Sequence, residues 1–156
     1  MDALTTPPNR QRMIICAGLA AAALTLSACG GGADPKMTKL HFVQTQTSEH
    51  FIDLPPTGPG PGDMDVITTN LLSGGKVVGH GRIVGIAVDL PNVEFLRTDV
   101  LPRGHISSLD THTEGASSEN LAIVGGTGSY RNARGYITLT STSASRVSAT
   151  FTIITS

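Results

Sequence analysis

A chain of 156 residues with 11 Lys+Arg against 12 Asp+Glu, and hence a net charge of −1, suits one domain with a single core. The balanced charge excludes the basic footprint of a nucleic-acid binder. With four Phe, two Tyr and no Trp, the chain also has little capacity for stacking bases or sugars on aromatic platforms.

Residues 1–28 read as a signal peptide outside any fold. Arg10 and Arg12 precede the apolar stretch 13-MIICAGLAAAALTLSAC-29, in the basic-then-apolar order of secretory leaders. Leu26-Ser27-Ala28-Cys29 resembles the bacterial lipobox, whose Cys is acylated and becomes the new N-terminus. The resemblance implies a lipoprotein of the bacterial cell envelope, held by Cys29 to the extracytoplasmic side of a membrane. The alternative is an ordinary signal peptide with a chance cysteine. Several acyl chains anchor a protein stably where one does not. Residues 29–38, opening with 30-GGGADP-35, then form a lipidated flexible tether. Cys16 leaves with the leader and Cys29 is taken by lipid, so the mature domain has no thiol for a disulfide, a nucleophile or a metal.

From residue 39 to 156 the runs are rich in Thr, Val, Ile and Ser and are punctuated by Gly and Pro, an all-β pattern. The first strand covers 39–47, where Leu40, Phe42 and Gln44 alternate with His41, Val43 and Thr45. Residues 54-LPPTGPGPGD-63 form a loop, because their prolines have no N–H for a ladder. Strands over 64–72 and 77–88 flank Ser73-Gly74-Gly75-Lys76, a hairpin connection. Strands over 93–101 and 104–113 flank Pro102-Arg103, and three more cover 119–124, 133–142 and 145–154. About eight antiparallel strands with short links predict a closed up-and-down β-barrel, since closure removes exposed edges.

The stretch 124-VGGTGSYRNARGYITLT-140 has the look of a nucleotide-binding turn. A dinucleotide fingerprint needs a third Gly where its helix packs on the strand, and Arg131 stands there. After Gly135 comes an alternating β-branched run, so the turn joins strand to strand. No Gly-Lys-Ser/Thr follows to make a P-loop.

The residues Ile123 to Tyr136, with Gly125-Gly126-Thr127-Gly128, then Tyr130-Arg131 and Ala133-Arg134-Gly135-Tyr136, resemble the dirigent-protein signature. Glu119, Val78-Gly79 and Gly81-Arg82 fit the same family more loosely. The resemblance implies the barrel shared by dirigent proteins and allene oxide cyclases, with an apolar cavity and a homotrimeric assembly. It also implies a role in binding or orienting a small hydrophobic molecule, without a cofactor. Thr69-Asn70 stand where the family carries an acidic pair, which argues for a non-catalytic binding or scaffolding barrel. The alternative is a cyclase or isomerase of the allene oxide cyclase type, or a dirigent-type orienting factor.

Arg131 and Arg134 match the motif. Each either holds an anionic or carbonyl group near the cavity mouth or serves the turn itself. Asp110, His112 and Glu114 would share one strand face and could act as acid and base or hold a divalent metal. The Gly-Ala-Ser-Ser that follows them predicts a fraying, solvated turn instead, and no metal is expected. Arg97 and Asp99 alternate with Val93, Phe95 and Leu101, placing them inside the barrel or as a rim pair. Asp99 and Asp110 join the two motif arginines as candidate catalytic residues. His41, His50, His80 and His105 have no mutual ligand spacing, and no Gly-x-Ser-x-Gly elbow is present.

Overall fold

The computed structural model describes residues 35–113, 117–143 and 145–155. The leader 1–28, Cys29, most of the tether and Glu114 lie outside the described residues. Eight strands follow one another: β1 (Lys36–Ile52), β2 (Met64–Ser73), β3 (Lys76–Asp89), β4 (Asn92–Leu101), β5 (Gly104–Thr113), β6 (Ser118–Gly126), β7 (Arg134–Ser143) and β8 (Arg146–Thr155). Each pairs antiparallel with the next, and β1 pairs with β8, closing an up-and-down barrel. This is the all-β closed barrel that the sequence predicts.

β1 departs from its predicted limits at both ends. Residues 36–38, expected in the tether, are drawn into the ladder by β8, with Lys36 opposite Thr155 and Met37 opposite Ile154. Past the predicted end at Thr47, a bulge between Gln46 and Ser48 lets pairing with β2 resume, ending at Ile52 opposite Met64. A bulge of this kind absorbs one residue without ending the strand.

The connections follow their local chemistry. Gly74 and Gly75 have φ of 56° and 77°, the two positive values that a tight two-residue hairpin turn requires. The Pro- and Gly-rich loop between β1 and β2 is gathered by Asp63, which is 4% exposed. Its Oδ1 accepts from the Leu54 N–H at 2.9 Å and its Oδ2 from the Gly60 N–H at 2.8 Å. The loop is then tied to β3 through Gly62 N–H to Ala87 O and Ala87 N–H to Asp63 O.

Alternate residues on every strand face inward. Leu101, Ile106, Ile123, Ala133, Ile137, Phe151 and Ile153 are buried together. They fill the half of the barrel toward the β2–β3, β4–β5 and β6–β7 turns. A polar layer lies beyond that core, and a cavity opens toward the β1–β2, β3–β4, β5–β6 and β7–β8 connections.

Candidate functional site

The cavity has a volume of about 170 Å³. Ile67, Ile83, Phe95, Leu121, Leu139 and Val147 give it apolar walls, and Gln44, Arg97 and Glu119 also line it. At the rim, Gln44, Gln46, Ser141 and Val147 are shared with a wider vestibule of about 540 Å³ between β1 and the β7–β8 hairpin. The space exists partly because β3 turns glycines inward. A Cβ on Gly85 would come within 2.6 Å of the Phe95 ring, and one on Gly81 would meet Thr69 Oγ1 at 2.4 Å and Asp99 Oδ1 at 3.0 Å. Side chains from β4 occupy the room that β3 vacates.

The most buried of these form an ion pair. Arg97 Nε and Nη2 each donate to a carboxylate oxygen of Asp99 at 2.8 Å, with both side chains fully buried. Period-two geometry puts both on one face of β4, and burial makes the match obligatory, because an unmatched charge there costs several kcal/mol. The Arg97 Cζ stands 5.9 Å from the Phe151 ring centroid. Arg97 Nη1, Gln44 Oε1, Thr69 Oγ1 and Ser108 Oγ have no hydrogen-bond partner among the described residues. Such orphans are rare in a folded interior.

A second group sits at the open end. The β5–β6 register that pairs Leu109 with Ala122 places His112 opposite Glu119. His112 Nδ1 is 2.8 Å from Glu119 Oε1, near enough for an ion pair yet out of line for a hydrogen bond. The imidazole stacks on Phe95, with centroids 5.1 Å apart and planes 17° from parallel. Burial pushes the Glu119 carboxyl above its ordinary range; His112 and Arg97 pull it back, and Asp110 adds to the rise. A carboxyl raised in this way, facing a cavity beside an imidazole, holds its proton more tightly than a free carboxyl and is placed to exchange one with a bound molecule.

The predicted site residues thus separate. Arg97 and Asp99 are interior, not a rim pair. Asp110 and His112 stay in the β5 ladder, opposite Phe95 and Val93, so the predicted fraying turn does not begin there. Among the described residues no three His, Cys, Asp or Glu side chains are placed to hold a metal. Thr69 is buried in the interior, whereas Asn70 turns outward and meets His80 Nδ1 at 3.0 Å. Gln44 and the role of Glu119 escaped the sequence reading. The inward alternation of Phe42 and Gln44 was the only signal for the first, and the cross-strand register with His112 was invisible for the second.

Arg131 and Arg134 are exposed and lie at the opposite end from the cavity mouth. There the β6–β7 turn, including a short 3-10 turn Gly128–Tyr130, is laid on the β4–β5 turn. Thr127 N–H donates to His105 O at 2.9 Å and Ser129 N–H to Arg103 O at 2.8 Å. A Cβ on Gly128, with φ of +59°, would stand 2.4 Å from Arg103 O, and one on Gly135, with φ of +120°, 2.0 Å from Thr152 O. The glycines of the motif serve backbone-to-backbone packing.

Known structures repeat this architecture. A pyocyanin demethylase superposes with a TM-score of 0.69 at 22% identity, covering 76% of this chain and 100% of that one. A pterocarpan synthase dirigent protein gives 0.66 at 19%, covering 85% and 98%. The chain folds as a dirigent-like barrel. An exo-specific intermolecular Diels-Alderase shares the dirigent-like fold with a TM-score of 0.63 at 12% identity, covering 77% of this chain and 99% of that one. No family model and no curated protein matches the sequence. At these identities the likeness is one of fold, and activity rests on the site.

Proposed function

We propose that this dirigent-like barrel is a receptacle for a small, mostly apolar molecule. The observation that carries the reading is the cavity itself: apolar walls, one open end, and unpaired polar groups at its buried face. Its volume is close to the roughly 150 Å³ of an engineered protein cavity that holds benzene, so its depth suits one ring, with the vestibule free for the remainder of a larger ligand. The structural neighbours named for dirigent, demethylase and Diels-Alder activities support a small-molecule role on this fold. Native mass spectrometry of the protein purified from its own host tests it. A low-mass ligand should be retained, and Leu139→Trp, which fills the cavity wall, should lose it. A wild-type protein that carries nothing, and that no apolar small molecule stabilises against heat, sinks the reading.

The Glu119–His112 contact favours a second reading, in which the bound molecule is also isomerised or cyclised by proton transfer. Its test is turnover of the retained ligand, with Glu119→Gln expected to abolish product while keeping the ligand bound.

Two further features belong to the proposal. Cys29 is acylated and anchors the barrel to the outer side of a bacterial membrane; the order of basic residues, apolar stretch and Leu26-Ser27-Ala28-Cys29 supports this. Cys29→Ser should abolish lipid labelling and release the protein, and unchanged membrane retention would refute the anchor. The barrel also assembles with copies of itself, most simply as a trimer. On its outer wall Val84 pairs with Leu96 and Leu96 with Leu109, a contiguous apolar strip on which Leu96 and Leu109 are 49% and 42% exposed. Leu96→Glu should yield a monomer in light scattering.

A further inference from the structure

We infer that the cavity takes a neutral molecule, about one ring wide, that enters oxygen-first, with a carbonyl or hydroxyl oxygen accepting from Arg97 Nη1. The inference rests on the receptacle reading above and specifies the chemistry of what is received.

The first support is the unused edge of a buried guanidinium. Side-on pairing with Asp99 consumes Nε and Nη2. Nη1 lies on the edge turned away from that carboxylate, and it has no partner among the described residues although the Arg97 side chain is fully buried. Arg97 lines the cavity, as does Gln44, whose Oε1 is likewise buried and unpartnered. A donor from β4 and an acceptor from β1, both without partners among the described residues and both on side chains that line the cavity, are complementary to an oxygen that accepts from the first. A hydroxyl also donates to the second.

Charge decides between a neutral and an anionic head. The positive charge of Arg97 is already matched one-to-one by Asp99, so a carboxylate or phosphate entering the cavity would be a second anion for a single cation. Asp110 and Glu119 stand on the same inward side of β5 and β6 and repel it further. An anion would therefore be desolvated with no compensating charge, whereas a neutral oxygen loses little and satisfies an orphan donor. Size and walls complete the description: about 170 Å³ bounded by Ile83, Phe95, Leu121 and Leu139 accommodates one aliphatic or aromatic ring behind that oxygen.

A matched set of small rings tests this on the intact folded protein by NMR titration: cyclohexanone, cyclohexanol, methylcyclohexane and cyclohexanecarboxylate. Cyclohexanone should bind about tenfold more tightly than methylcyclohexane, the worth of one hydrogen bond to a charged donor. It should also shift the side-chain nitrogen resonances of Arg97, and the carboxylate should bind most weakly. Because Arg97 variants risk unfolding, Gln44→Leu supplies the second arm. It should remove any advantage of cyclohexanol over cyclohexanone while leaving the ketone's affinity in place. Equal binding of hydrocarbon and ketone, or tightest binding of the carboxylate, overturns the inference and leaves the receptacle standing. Failure of all four rings to bind overturns the inference, and the receptacle reading is then decided by the ligand retained from the host.

Discussion

At the end of the barrel that carries the β6–β7 turn, backbone packs on backbone. Glycines at 104, 126, 128 and 135 admit carbonyls to distances no Cβ would allow, and the aliphatic core fills the lumen behind them. At the other end, side chains from seven strands surround a cavity, and polar groups are left partly or wholly unmatched. The first end uses the most recognisable letters in the sequence, and its glycines serve backbone packing at a distance from the cavity. The second collects its chemistry from residues scattered over β1, β4, β5 and β6, none of which forms a motif. A signature can thus identify a fold through backbone packing that lies away from the cavity.

The sharpest way to break this contrast is to unbalance the polar layer between the two ends. Asp99→Ala leaves Arg97 charged and unmatched in the interior and should cost about 3–5 kcal/mol, read as loss of most of the folded population in urea titration. Next in size is Gly135→Ala. Its φ of +120° and the clash an added Cβ would make with the Thr152 carbonyl predict a loss of roughly 3 kcal/mol in the same assay, with the cavity untouched in whatever fraction folds.

The third prediction sets the open end against pH. Glu119 binds its proton more tightly folded than unfolded, so between its ordinary value of 4.5 and its raised one the folded state holds more protons. Stability should therefore fall as pH rises through that window. Glu119→Gln should flatten this part of the stability–pH curve; an unchanged slope would assign the effect to another group. The smallest effect belongs to the motif arginines: Arg131→Ala with Arg134→Ala should shift stability by no more than about 0.5 kcal/mol each, as for exposed positions, and leave ligand retention intact. Loss of the ligand in that variant would return the motif to the functional site.

The strands were legible because each alternates and is bounded by Gly or Pro; the eight predicted segments all lie within the eight observed strands or at their edges. Pairing with neighbours decided the rest, extending β1 at both ends and holding Asp110 and His112 in the ladder where composition alone suggested a turn. The site was legible only in part. The spacing of Arg97 and Asp99 showed a shared face, but whether that face was lumen or rim depends on β3 presenting Gly79, Gly81 and Gly85 inward. The meeting of His112 with Glu119 depends on a register interrupted by a bulge between Ser107 and Ser108, which no spacing in the chain encodes.

Those inward glycines also make the barrel adjustable at one position. A methyl on Gly79 would meet the Val100 carbonyl and one on Gly81 the Thr69 hydroxyl, so only the Gly85 position can narrow the lumen against a side chain able to yield. At Gly85 the first contact of an added methyl is the ring of Phe95, a movable side chain that itself borders the cavity. If the barrel is the proposed receptacle, Ala at that position would admit a slimmer molecule while the polar residues lining the cavity stay the same.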